Sequence, residues 1–348
     1  MFALLLKIPV TLPETSARPY HRGVPGRIVV TQPLIDGTLD RLVAAGHHVE
    51  LLSDEGPPSH ERLCDALAGA AALVCLLNDR VDDAVLAAGS PTLRVVANVA
   101  VGVDNIDLSA AAERSVAVCN TPGVLDAATA DLAMALLLAV SRRVVEGMDL
   151  IRGGRWHGFS FASSLGRDLH GMRLGIVGYG GIGRRVADRA RAFEMDVRHC
   201  TRRPTGEPGF VQDLDELVAG SDALSLHVPL TESTRHLLDA RRIALLPRGA
   251  LVVNTARGPV IEEAALVAAL HSGHLGGAGL DVFEDEPRVS PALQAAPNVV
   301  LTPHIGSATV ATRRAMCELA LDGVLAVLSG RDHPHLVVDP SGTSGRER

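Results

Sequence analysis

Lysine is almost missing from this 348-residue chain: Lys7 is the sole one, and every other basic side chain among its 33 Lys and Arg is arginine. A Schiff-base amine or the lysine of a P-loop would have to be Lys7. That residue lies in a proline-containing leader ahead of any strand-like run, which sets aside pyridoxal-phosphate catalysis and Walker-type phosphoryl transfer. Aromatic residues make up only 3%, and positive charge is not in excess, the formal net charge being -7. Without a basic stripe interleaved with aromatics, neither nucleic acid nor an anionic membrane surface is an expected partner. Long apolar runs are absent too. The longest, Leu132 to Val140, stops between Asp131 and Ser141, far short of the roughly 20 residues that span a bilayer. The opening Met1 to Leu6 lacks a basic n-region and a cleavage pattern before Pro9 and Pro13, so it reads as a non-signal extension. Five cysteines (Cys64, Cys75, Cys119, Cys200 and Cys317) are odd in number and scattered, with no CxxC pair and no Cys/His ligand spacing. That pattern fits a reducing cytoplasm and no bound metal.

What the chain does hold is core material, 47% of it apolar, at a length that favours two domains. Short β-branched runs at Ile28 to Thr31, Val49 to Leu52, Leu73 to Leu77, Val95 to Val99 and Val116 to Cys119 alternate with helical stretches, as in a parallel, flavodoxin-like α/β layer. A long helical pattern without Gly or Pro, Ala127 to Val145, then bridges to a second series. Its strands are expected at Arg173 to Val177, Val197 to Cys200, Ala223 to His227, Ala250 to Val253, Gly279 to Val282 and Val299 to Leu301, a doubly wound, Rossmann-like sheet. A final helical pattern, Ala308 to Leu328, has no strand after it and returns to the first domain. The expected organisation is a poorly ordered extension at 1–26, a discontinuous substrate domain at 27–120 and 308–337, a dinucleotide domain at 121–307, and a flexible tail at 338–348.

Gly178-Tyr179-Gly180-Gly181-Ile182-Gly183 is a GxGxxG that follows a strand and opens a helix. Its glycines allow a tight turn and let a pyrophosphate approach the helix N-terminus, whose unpaired N–H groups favour anions. An ordinary glycine-rich turn is the plain alternative, weakened by this strand-loop-helix context. Arg257, Glu286 and His304 each lie just beyond the carboxyl end of a strand of the same sheet, where open α/β sheets place their ligand crevice. Each alone has a bland reading as a helix cap, a charged loop or one of 14 histidines. Together they supply what carbonyl reduction requires: a guanidinium for a carboxylate, an imidazolium acid, and a carboxylate to keep that acid protonated.

These motifs, with Asn98-Val99-Ala100-Val101-Gly102-Val103-Asp104-Asn105-Ile106-Asp107, Asn254-Thr255-Ala256-Arg257-Gly258, Gly279 to Pro287 and Thr302-Pro303-His304-Ile305-Gly306-Ser307, resemble the D-isomer-specific 2-hydroxyacid dehydrogenases over about residues 27–335. The likeness is to the glyoxylate and hydroxypyruvate reductase branch. It implies an NAD(P)H-dependent reduction of a small 2-keto acid, with Arg257, Glu286 and His304 as the catalytic set and backbone amides near Val101 and Gly102 holding the substrate carboxylate. It implies that Asp281 contacts the nicotinamide, although a simple strand-end cap explains that residue equally well. It further extends the cofactor contacts to Thr129, Val228, Pro229, Thr234, Thr255, Ala256 and Gly306, and implies a homodimer around the cofactor domain.

One departure bears on the cofactor. Thr201, Arg202 and Arg203 stand after the second strand of the dinucleotide unit, where an acid would hydrogen-bond an NAD ribose. With no acid available there, the expected cofactor is NADP(H), NAD(H) being the second choice. Rival readings are a formate or phosphite dehydrogenase on the same scaffold, disfavoured by Glu286 and Val101, a D-lactate or phosphoglycerate dehydrogenase, and a dinucleotide-sensing corepressor. The preferred keto acid depends on loops near Leu77-Asn78-Asp79 and on Trp156 and Phe159.

Overall fold

A computed structural model describes residues 25–340. The extension and tail expected to be poorly ordered lie outside these residues, except at their inner edges.

The first sheet is built from β1 (Arg27–Val30), β2 (His48–Leu51), β3 (Ala72–Cys75), β4 (Val95–Asn98) and β5 (Ala117–Cys119), parallel and in the order β2-β1-β3-β4-β5. β3 and β4 are buried at every position, which is why they read as unbroken apolar runs instead of alternating ones. The connections carry α1 (Asp40–Ala44), α2 (His60–Leu67), α3 (Asp83–Ala88) and α4 (Leu108–Glu113). The last three start where Ser59, Asp82 and Asp107 accept a backbone N–H of the first turn.

The bridging helix is shorter than its apolar pattern suggests. α5 (Asp126–Ser141) ends at Arg142, Arg143 takes a left-handed conformation (φ 54), and α6 (Val144–Arg152) sets off anew. No Gly or Pro marks this break. An Arg143–Glu146 ion pair holds it.

The second sheet holds β6 (Arg173–Val177), β7 (Asp196–Cys200), β8 (Ala223–Leu226), β9 (Ala250–Asn254), β10 (Leu275–Leu280) and β11 (Val299–Leu301), all parallel, in the order β7-β6-β8-β9-β10-β11. Around it lie α7 (Gly181–Ala192), α8 (Leu214–Ala219), α9 (Ala240–Leu245), α10 (Glu263–His271) and α11 (Pro291–Gln294). Strand order reverses between β6 and β8, and the crevice at such a switch point is where this architecture takes ligands. β10 starts four residues before the expected Gly279 and ends before Asp281. Its glycines 276, 277 and 279 hid it, because they carry no side chain to signal a strand; a Cβ at Gly276 would press on the Gly249 carbonyl.

Finally α12 (Val310–Leu328) returns to the first sheet, where Met316, Cys317, Ala320, Leu321, Val324 and Leu325 join Ile28, Val74, Val95 and Ala97 in one core. A strand does follow it, contrary to the sequence expectation: β12 (Leu336–Val338) adds antiparallel to the free edge of β5. Three half-buried residues are too few to show a period-2 pattern. Among the described residues no helix is long and apolar enough to cross a membrane.

Candidate active site

β6 ends at Val177, and Gly178 turns the chain at φ 92 so tightly that a Cβ there would strike the His227 carbonyl. Only glycine fits this close approach of β6 to β8. Gly180 is the N-cap of α7 and offers no side-chain acceptor, so Gly181, Ile182 and Gly183 open the helix with N–H groups that no cap satisfies. This is the donor set that a pyrophosphate needs. Two buried polar atoms without a partner among the described residues, His227 Nδ1 and Thr255 Oγ1, stand at the carboxyl ends of β8 and β9. Val228 packs on Gly178, and Thr234 donates to the Pro229 carbonyl at 2.6 Å, fixing the loop after β8. These features suit a dinucleotide. One anion already stands nearby, for a Cβ on Gly181 would collide with the Asp126 carboxylate. Burial pushes that carboxyl above its ordinary value, with Arg185 opposing.

Three proposed contacts have another side-chain role. Tyr179 is buried, stacks on His199 with ring centroids 3.7 Å apart and accepts a hydrogen bond from Arg191, leaving only its backbone to the crevice. Thr201 donates its hydroxyl to the Arg203 carbonyl at 2.5 Å. Asp281 accepts from Thr302 Oγ1 and the Ile305 N–H on one oxygen and from the Gly306 N–H on the other, at 2.6, 2.8 and 2.7 Å. Thr129 and Gly306 sit beside it. The strand-end cap is thus the geometry present, and it clamps the segment that carries His304. Burial raises the Asp281 carboxyl in spite of those three bonds.

Arg202 and Arg203 are exposed on the loop after β7. The expectation that no acid stands on this side needs correcting. The loop folds back through His199–Thr205 and Val211–His199 hydrogen bonds and brings Glu207 into an ion pair with Arg184 of α7.

Between the two sheets lies a cleft of about 840 Å³ lined by Arg257, Glu286 and His304. His304 Nδ1 and Glu286 Oε2 are 2.8 Å apart, and Glu286 Oε1 accepts the Phe283 N–H at 3.0 Å. With Nδ1 engaged, Nε2 is the ring nitrogen left for a substrate. Burial drives the Glu286 carboxyl up, but the hydrogen bond and charge of His304, the Phe283 N–H and the charge of Arg257 outweigh it, so the group sits below the usual glutamate range.

Arg257 reaches over to the first domain. Its Nε donates to Asp104 at 3.1 and 3.2 Å, its Nη1 donates to the Ala256 carbonyl, and any Cβ on Gly102 would collide with its guanidinium. Below it, Asn120 and Asn98 donate to the carbonyls of Val101 and Gly102 at 2.7 and 2.8 Å. The Val101 and Gly102 N–H groups have no acceptor among the described residues. A guanidinium thus lies against Gly102, beside two amides without an acceptor, and these are donor types that a carboxylate can use. Sequence reasoning missed Asp104: its motif was in view, but its partner lies 153 positions away.

The His304–Glu286 pair and Arg257 share one cleft, and the glycine loop opens at the carboxyl edge of the same sheet, the arrangement of a dehydrogenase. Residues 134–306 match the family described as D-isomer specific 2-hydroxyacid dehydrogenase, NAD binding domain. The glyoxylate reductase of Thermococcus litoralis is 41% identical over 320 residues, covering 89% of this chain and 96% of its own. A solved structure from Thermus thermophilus is 47% identical with a TM-score of 0.86, covering 90% of this chain and all of that one. The NADPH-dependent glyoxylate/hydroxypyruvate reductase of Sinorhizobium meliloti, solved with NADP and malonate, is 33% identical with a TM-score of 0.80, covering 90% of this chain and 97% of that one. The chain belongs to the D-isomer-specific 2-hydroxyacid dehydrogenases, in the glyoxylate reductase branch, and is an NAD(P)-dependent enzyme of 2-keto acid reduction.

Proposed function

We propose that the enzyme reduces small 2-keto acids such as glyoxylate and hydroxypyruvate to D-2-hydroxy acids, with NADPH preferred. The carrying observation is the 2.8 Å His304–Glu286 pair in the cleft that Arg257 also lines. A bound reduced nicotinamide supplies the hydride. Arg257 and the Val101 and Gly102 amides hold the substrate carboxylate, which fixes the carbonyl carbon for attack. His304 Nε2 gives its proton to the carbonyl oxygen as negative charge develops there, and Glu286 holds the ring by Nδ1 and offsets its positive charge. Asp281 positions His304 through the 302–306 segment.

The NADPH preference rests on Arg202 and Arg203, both exposed, and on the pairing of Glu207 with Arg184, which offsets the acid of that loop. One charge-assisted hydrogen bond to a 2′-phosphate contributes about 1.5 to 3 kcal/mol, or roughly tenfold and more in affinity. Thr201 takes part only by releasing the Arg203 carbonyl. The deciding experiment crosses glyoxylate, hydroxypyruvate, pyruvate and bulkier keto acids with NADPH and NADH, in the parent and in an Arg202→Ala, Arg203→Ala variant. The reading expects the variant to raise KM for NADPH far more than for NADH, and equal or better kcat/KM with NADH in the parent contradicts the preference.

A homodimer belongs to the same proposal. α6 and the segment after it expose Val144, Ile151, Trp156, Phe159, Phe161 and Leu165, the two phenylalanines at 89% and 90%. So much clustered apolar surface marks an interaction site, and two-fold dimers are the commonest oligomer. All five cysteines are free, three of them buried, in keeping with a reducing cytoplasm.

A further inference from the structure

Six acidic or basic side chains line the cleft: Asp104, Arg257, Glu284, Glu286, His304 and Arg313. Five are already engaged. Asp104 pairs with Arg257, and Glu286 with His304. Glu284 pairs with His236 at 2.6 Å and accepts the Glu263 N–H. Arg313 is the one whose side chain has no hydrogen-bond or ion-pair partner among the described residues. It sits in the first turns of α12, where Arg313, Met316 and Cys317, spaced i, i+3 and i+4, bring one helix face to the cleft. The catalytic trio comes from loops of the second sheet, whereas α12 packs on the first. Arg313 is exposed, and the neighbouring lining, Pro33, Leu34, Ile35 and Met316, is apolar, so it is the charged group that this side of the cleft offers to a ligand.

We propose that Arg313 is a second anion-reading side chain of this active site, selecting 2-keto acids that carry another negative group at the end remote from the keto carbon, a 2-oxodicarboxylate being the simplest. The inference rests on the reading that Arg257, Glu286 and His304 bind and reduce the keto acid. Arg257 then takes the carboxylate next to the carbonyl and Arg313 takes the remote one, so each guanidinium meets one anion. Neither redox chemistry nor proton inventory changes: hydride reaches the carbonyl carbon and the His304 proton reaches its oxygen, as for glyoxylate.

The test pairs acids of equal chain length, oxaloacetate with 2-oxobutanoate and 2-oxoglutarate with 2-oxopentanoate, and reads the dianion-to-monoanion ratio of kcat/KM. In Arg313→Ala that ratio should fall about tenfold for at least one pair, chiefly through KM, as expected for one lost charge-assisted contact. Arg313→Lys, which keeps the charge but not the fork, should recover part of it. An unchanged ratio for both pairs overturns the assignment, including the case in which both members of a pair decline together. Glyoxylate reduction by the parent is measured alongside. Its absence with both cofactors would remove the underlying reading, and the inference with it, whereas glyoxylate turnover with an unchanged ratio removes the inference alone.

Discussion

Glu286 shows how a single side chain holds opposed influences in balance. Its partial burial favours the neutral acid, yet the contacts with His304, the Phe283 N–H and Arg257 leave the carboxyl below its ordinary value. A depressed acid contributes stability that is complete above its unfolded value and is lost as pH falls through the folded one. The His304–Glu286 pair should therefore persist through neutrality and fail only below the usual glutamate range. Once protonated, Glu286 would no longer offset positive charge on the ring, so on the proposed mechanism kcat/KM for glyoxylate should fall only below the usual glutamate range. Glu286→Gln should be slower than the parent and lack that acid-side fall, measured as kcat/KM across pH 3 to 8. An acid-side fall that Glu286→Gln retains would assign it to another group.

At the scale of elements, what was legible in the sequence follows physical rules. β6 and β11 fall where their apolar runs place them, and most other strands shift by a residue or two at the ends. Buried parallel strands must be apolar along their whole length. β10, β12 and the α5–α6 break were hidden because glycine, brevity and a left-handed Arg143 leave no periodic trace. The same distinction governs the site. The glycine loop and the Arg257, Glu286 and His304 set stand out because each follows a strand end, whereas Asp104 and Glu207 show themselves only through contacts made in the folded chain. One such contact can be tested for stability. Asp222, just ahead of β8, accepts the Arg173 N–H and both guanidinium branches of Arg173 at the start of β6, and the hydrogen bonds from that side chain hold its carboxyl down at about 2. Partial exposure reduces the value of the pair, so Asp222→Asn should cost about 1 kcal/mol in urea unfolding at pH 7. Because the carboxyl is depressed, the gap between parent and variant should close as pH falls from about 4 toward 2. An equal gap at pH 7 and pH 2.5 would assign the effect to packing and not to charge.

On the scale of the whole molecule, the proposed site draws on both sheets. Arg257 comes from the second sheet and Asp104 from the first, while α12 leaves the second to complete the first. Phe159 and Phe161 are exposed, and the proposed dimer would cover them. Light scattering should give a dimer at micromolar concentration, and a Phe159→Asp, Phe161→Asp variant should give a monomer. A monomeric parent would contradict that assembly. The central claim is that His304 delivers the proton in keto-acid reduction, and the most direct measurement is kcat/KM for glyoxylate with NADPH in the parent and in His304→Ala. The account predicts a loss on the order of 10² to 10⁴ with the variant still folded and binding NADPH; near-normal glyoxylate reduction by His304→Ala would contradict it.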